Sequence, residues 1–189
     1  MNRPHALFGA FARLFFLPLL AVAALGACSP AYNWREVRPD DTTLTALLPC
    51  KPDKGSKTVP LGGQPTKLSM VGCETSGVMF AVASADIGDA QKAADVLAQW
   101  SQATLVNMKA APLSGAAGST TTTPLKVTGA TLSPAPVLIT AQGVRADKSA
   151  VSSQAAYFAK GSQVFQAVIY ADKISPEVAE AFFSGLKLQ

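Results

Sequence analysis

The sequence predicts an α+β fold: an antiparallel sheet packed by a long central helix and a short C-terminal helix. Three observations predict it. Strand-like apolar runs recur over 43–83 with Gly-containing turns between them. The apolar period then changes to 3.6 residues over 89–110. Strand-like runs resume and end in a Ser-Pro-Glu helix start at Ser175. Strands, helix, strands, helix, joined mostly by hairpins, is the order of a sheet with segregated helices rather than of a parallel array.

Each element has a local reason. Tyr32-Asn33-Trp34-Arg35-Glu36-Val37-Arg38 alternates large apolar and polar side chains, as a short strand or a segment lying on the domain does, with Trp34 read as a packing anchor. The strand over 43–48 stops at Pro49-Cys50-Lys51-Pro52, since proline cannot donate to a ladder. Strands over 56–61 and 65–74 flank Gly62-Gly63, a pair suited to a tight hairpin turn, and a further strand over 78–83 follows Ser76-Gly77. Together these four strands predict one antiparallel meander.

In the helix, Ala93, Val96, Leu97, Trp100, Thr104, Leu105 and Met108 form one core-facing stripe, and Asp89 is placed to cap the first turn. The small, polar run over 114–124 reads as a connector or a Thr-rich edge strand. Strands are then expected over 125–127, 137–145, 151–159 and 163–171, the last two joined through Lys160-Gly161. Ser175 caps the second helix, Pro176 suits its first position, Glu177 favours its dipole, and Gly185 ends it.

Ahead of the domain stand Arg3 and Arg13 with no acidic residue, then an apolar run over 14–24 and a small-residue exit, the three parts of an export signal. The run is shorter than the roughly 20 apolar residues that span a bilayer, and Pro18 interrupts it. Leu25-Gly26-Ala27-Cys28 resembles the lipobox of bacterial lipoproteins, in which a diacylglycerol alkylates the thiol before cleavage. The resemblance implies a signal peptide over 1–27, lipidation at Cys28, a tether over 28–41 and a single periplasmic domain over 42–189. Two or more acyl chains make such an anchor stable, where one is marginal. Ser29, rather than Asp, after the cysteine implies the outer membrane, facing the periplasm.

Without residues 1–27, 14 Lys+Arg face 12 Asp+Glu, a formal charge of +2 with no basic stripe, so no nucleic-acid partner is expected. With Cys28 committed to lipid, Cys50 and Cys73 remain as an even pair in an oxidising compartment, where such pairs bridge. Their wide spacing and the lack of other soft ligands argue against a redox dithiol or metal pair. The bridge would staple the end of the meander's first strand to its third.

Tyr32-Asn33-Trp34-Arg35, Leu48-Pro49-Cys50-Lys51-Pro52 and the terminal Ala181-Phe182-Phe183-Ser184-Gly185-Leu186-Lys187-Leu188 resemble small proteobacterial lipoproteins of unknown function. More loosely, the chain from Tyr32 to Gln189 is similar to the PsbP-like and DcrB-like fold. The resemblance implies an α/β/α scaffold and carries over no catalytic residue.

The chemistry is bounded by one count. The only histidine, His5, precedes Cys28, so the mature chain lacks the usual general base near neutral pH and the usual zinc ligand. No phosphate-binding GxxxxGK[ST] loop occurs. Ser184 and Lys187 match a bare SxxK spacing, but Gly185 breaks it. Asp40, Asp41, Asp86 and Asp89 are the candidate carboxylates for acid-base work or calcium, with Asp40-Asp41 more simply opening a turn.

The expectation is a lipid-anchored cell-envelope protein, not an enzyme and without cofactors. Its domain binds an envelope protein partner or serves as an assembly accessory, and the membrane is its other partner, through the lipid. The alternatives are a lipid-anchored hydrolase using carboxylate or Ser-Lys chemistry, and a small-molecule binder with a pocket between the long helix and the sheet.

Overall fold

The chain begins with β1 (Arg35–Val37) and β2 (Leu44–Leu48), an antiparallel pair. Pro49 and Pro52 stop β2 because neither supplies the N–H a ladder needs. The computed structural model describes residues 32–110 and 120–189. Cys28, the signal segment 1–27 and the first part of the connector, 114–119, lie outside the described residues.

Beyond the prolines the hairpin signals act as expected. β3 (Asp53–Leu61) turns into β4 (Gln64–Thr75) through Gly62 and Gly63, both at positive φ (62° and 78°), as a two-residue hairpin connection requires. Ser76-Gly77 joins β4 to β5 (Val78–Asp86) in the same way. Asp89 accepts a hydrogen bond from the Gln91 N–H and starts a 3-10 turn that runs into α1 (Ala93–Asn107). The Thr-rich segment is a strand, β6 (Thr120–Pro124), followed by β7 (Val137–Val144), β8 (Ala150–Lys160) and β9 (Gln163–Ala171). Ser175 caps α2 (Pro176–Ser184), and β10 (Lys187–Leu188) follows.

The result is α+β. Seven strands form one antiparallel sheet in the order β3-β4-β5-β9-β8-β7-β6, so the two hairpin series meet where β9 pairs with β5. Two expectations are corrected. β2 does not begin the meander: it lies between β1 and β10 in a separate three-stranded sheet. Leu44, Ala46 and Leu48 are fully buried there, and the Pro-bracketed break is where the chain crosses from this layer to β3 of the large sheet. The strand expected over 125–127 does not form either. Leu125 still donates its N–H to Pro136, but the chain then leaves the ladder, burying Val127 under the α2 layer and making one parallel bridge from Thr128 to Lys187.

Strand alternation sends the central residues to opposite faces, and the two faces are filled differently. Ala156, Phe158, Phe165, Ala167 and Ile169 pack with Phe80, Phe182 and Phe183 beneath α2 and the small sheet. Ala155, Ala159, Ala83 and Ala85 lie beneath α1, where Ala93, Val96, Leu97, Trp100 and Leu105 fill the space the small sheet residues leave. Tyr32 and Trp34 stand edge-on to Phe80, with ring centroids 6.3 and 5.9 Å away, and the compact unit runs from Tyr32 to Gln189. The short strand expected within Tyr32–Arg38 is β1, lying on the domain.

Cys50, just beyond β2, is bridged to Cys73 on β4, with Cα atoms 5.9 Å apart. The bridge ties the small sheet to the large one. Closing a loop of about 24 residues removes chain entropy from the unfolded state worth about 3.4 kcal/mol. Reduction, or a Cys50→Ser/Cys73→Ser double substitution, is therefore expected to lower unfolding stability by about 3 kcal/mol and the melting temperature by about 10 °C. Denaturant and thermal unfolding with and without reductant measure it; coincident curves would show that the bridge does not brace the fold.

Candidate functional site

The face of the sheet under α1 is apolar along most of the helix and turns polar at the helix's C-terminal end. In β9, Val164, Gln166, Val168 and Tyr170 share this face by alternation, as do Ser153, Ala155 and Tyr157 in β8. Register sets Tyr157 opposite Gln166 and Ser153 opposite Tyr170, with Met79 of β5 on Tyr170's other side. The last turns of α1 bring Trp100, Thr104, Asn107 and Met108 over this floor, and the β7–β8 turn adds Val144, Arg145 and Val151. An open-sided recess of about 460 Å³ remains, within the range of about 300–1,000 Å³ usual for small-molecule sites.

The end of the helix is held in place by a close backbone approach. Val144 donates its N–H to the Met108 carbonyl at 2.8 Å. Gly143 makes this possible, because a Cβ there would stand 2.4 Å from the Met108 oxygen.

The polar floor is closed on itself. Gln166 Nε2 donates to Tyr157 Oη at 2.8 Å and to Thr104 Oγ1 at 3.0 Å, and Thr104 Oγ1 donates to the Trp100 carbonyl at 3.0 Å. These bonds tie helix to sheet, and Trp100 stands edge-on to Tyr157 at 6.4 Å. Among the buried side chains of the described residues, only Thr45 Oγ1 lacks a partner, so the network carries none of the roughly 1–3 kcal/mol cost of an unmet buried group.

Burial raises the Tyr157 hydroxyl's pKa, partly offset by its hydrogen bonds to Thr104 and Gln166. Tyr170 is pushed up to about 12, mainly by burial and then by the neighbouring Tyr157, against a hydrogen bond with Ser153. Both phenols are neutral at physiological pH, so they offer hydrogen bonds and no base. Among the described residues, Arg145 is the one charged side chain lining the recess. Its Nη1 lies 2.7 Å from Asp172 Oδ1 and donates to the Ala150 carbonyl at 2.7 Å and to Ser149 Oγ at 3.2 Å.

The residues singled out in the sequence fall elsewhere. Asp40, Asp41 and Asp86 line one shallow polar cleft with Lys67, Ser69, Ser84 and Gln163, whereas Asp89 is occupied in its cap. Asp40 pairs with Lys54 at 2.7 Å and Asp41 with Lys67 at 3.8 Å, and Asp86 accepts from the Gly88 N–H at 2.9 Å. These are exposed pairs of the kind worth about 0–1 kcal/mol, and they pin the β1–β2 turn to the sheet. Among the described residues, no three His, Cys, Asp or Glu side chains are grouped so as to hold a metal. Ser184 Oγ donates to the Ala181 carbonyl within its own helical turn, and Lys187 lies beyond Gly185 on β10, so the SxxK spacing is not helical. Gln166, Tyr157, Tyr170 and Arg145 were not singled out, although Gln166 stands between Val164 and Val168 on a face that is otherwise apolar.

No protein-family model matches the chain, and comparison with curated proteins finds no match. Among solved structures, the chain is similar to a Pseudomonas aeruginosa protein of unknown function that is described as a candidate regulator. The likeness covers 77% of this chain and 85% of that one, at 12% identity and a TM-score of 0.32.

The raised phenol has a consequence for alkaline stability. An unfolded tyrosine ionises near its ordinary value of 10.0, and folded Tyr170 only at about 12. Its neutral form therefore stabilises the fold fully below pH 10, and that contribution is lost as pH rises to about 12. Urea titrations from pH 8 to 12 are expected to show stability falling over that window, with a shallower fall in Tyr170→Phe. An equal fall in both proteins would place the alkaline sensitivity elsewhere.

Proposed function

We propose that this chain is a lipid-anchored cell-envelope protein, held at the outer membrane and facing the periplasm, whose domain binds its partner rather than transforming it. Its placement among the small proteobacterial lipoproteins with a PsbP-like or DcrB-like fold is part of this proposal. The export signal ending in Leu25-Gly26-Ala27-Cys28 supports the anchor, and the Cys50–Cys73 bridge suits an oxidising compartment. The observation that carries the binding role is the recess at the end of α1, with its aromatic wall and its floor of neutral, mutually bonded side chains. Such a floor orients a guest without taking a proton from it.

The recess also favours one partner class over another. A protein partner was the expectation from sequence, but a concave, half-apolar site with convergent polar groups fits a small molecule better. A hydrolase reading draws less support, because the candidate carboxylates are engaged by lysines or backbone and Ser184 is separated from Lys187 by a helix end.

Two measurements test the proposal. Protein isolated from membranes is expected to begin at a diacylated Cys28 by intact mass, and Cys28→Ala to leave the membrane fraction. Native mass spectrometry of the wild-type protein is expected to show a small bound mass that Trp100→Ala loses. An unmodified leader, or a bound mass that Trp100→Ala retains, would refute the respective half.

A further inference from the structure

We propose that the recess at the end of α1 takes a single-chain anionic amphiphile from the same bilayer that holds the anchor; the inference rests on the lipid-anchored reading above. The first support is where the chain enters the fold. Tyr32 packs edge-on against Phe80, and Asn33 donates its N–H to the Pro49 carbonyl. Phe80 follows Met79 in β5, and Met79 pairs with Tyr170, so entry point and recess share one end of the sheet on opposite faces. Only three residues separate Cys28 from Tyr32, and four residue steps of extended chain reach at most about 14 Å. An acylated Cys28 therefore holds this end of the domain against the bilayer surface and puts the recess mouth within reach of lipid.

The second support is the chemistry of the mouth. Met79, which lines the recess, is 44% exposed, one of the four large apolar side chains left most exposed among the described residues. Deeper in, Met108, Val151 and Trp100 give an apolar channel above the neutral floor. Arg145 stands at the rim and pairs with Asp172, Ser149 and the Ala150 carbonyl through Nη1, and among the described residues its Nε and Nη2 make no hydrogen bond. An acyl chain matches the channel, and a carboxylate or phosphate head matches the open edge of the guanidinium.

The test uses the full mature protein, purified in detergent and reconstituted in vesicles. Trp100 lines the recess and Trp34 packs on the opposite face, so bromine-labelled stearate is expected to quench the Trp100 emission of Trp34→Phe saturably and that of Trp100→Phe only in proportion to the label in the bilayer, without saturation. Met79→Glu, an exposed position that should fold normally, is expected to weaken binding at least tenfold. Arg145→Ala should weaken stearate severalfold and leave the equivalent brominated alcohol unaffected. Leu132→Glu, an exposed apolar residue of the β6–β7 connection, should bind as wild type. Quenching that does not saturate, or that Met79→Glu and Leu132→Glu alter equally, overturns the site. Intact mass on the same sample separates the premises. Acylated Cys28 without saturable quenching sinks this inference alone, whereas unmodified Cys28 sinks the anchored reading and the bilayer as source along with it.

Discussion

The central strands β5, β9 and β8 are buried on both faces, and the rest of the domain follows from the need to cover each side. A half-buried sheet needs one cover; this one needs two. Phe80, Phe158 and Phe165 project to one side, and removing each from water contributes about 1.5–3 kcal/mol. They demand a thick layer, which α2, the small sheet and the aromatic pair Tyr32 and Trp34 provide together. The opposite side carries mostly alanine and valine, which lets a single helix lie close, with Trp100 supplying the bulk that the sheet lacks.

The recess is a by-product of that asymmetry at the place where it runs out. Small residues under α1 give way to Gln166 and Tyr170 near its C-terminus, and a helix cannot lie down on them as it does on alanine. Instead of collapsing, the gap is propped open by bonds of fixed length. Gln166 reaches up to Thr104, and the Met108 carbonyl is held by Val144 above a glycine that has no Cβ to interfere. Side chains already committed to one another lose little freedom when a guest arrives, which is the condition for binding without a large ordering cost.

Much of this was legible in the chain, because local chemistry determined it. The Gly62-Gly63 turn, the Asp89 and Ser175 caps, the stripe on α1 and the hairpin strands all depend on near neighbours in sequence. The partners of β2 do not: whether a strand joins the large sheet or bridges β1 and β10 is decided by what lies across the core, which no period-2 pattern encodes. The segment after Pro124 has strand-like composition, but its side chains are wanted in the core on the α2 side of the sheet. The recess floor lies between these cases. With Lys160 and Gln163 paired across the Gly161-Ser162 turn, counting back along β8 and forward along β9 sets Tyr157 against Gln166 and Ser153 against Tyr170. That half of the site was implicit in the hairpin. Thr104 and Arg145 join it only through the docking of α1 and the β7–β8 turn.

The same end of the sheet carries the chain entry, the disulfide and the recess, and their order matters mechanically. Cys73 pairs in register with Phe80, the residue against which Tyr32 and Trp34 pack edge-on, while Cys50 lies just past β2, beside the carbonyl that receives the Asn33 N–H. Residue 32 is therefore fixed to the fold by edge-on aromatic contacts to β5, by the neighbouring backbone hydrogen bond and, through Pro49 and Cys50, by the covalent bridge. Met79, one residue along that strand, faces the other way into the recess. The entry contacts and the bridge lie on the α2 side of β5, and the network of Gln166, Tyr157 and Thr104 lies on the α1 side, so the two groups share no side chain and meet only through the strand between them.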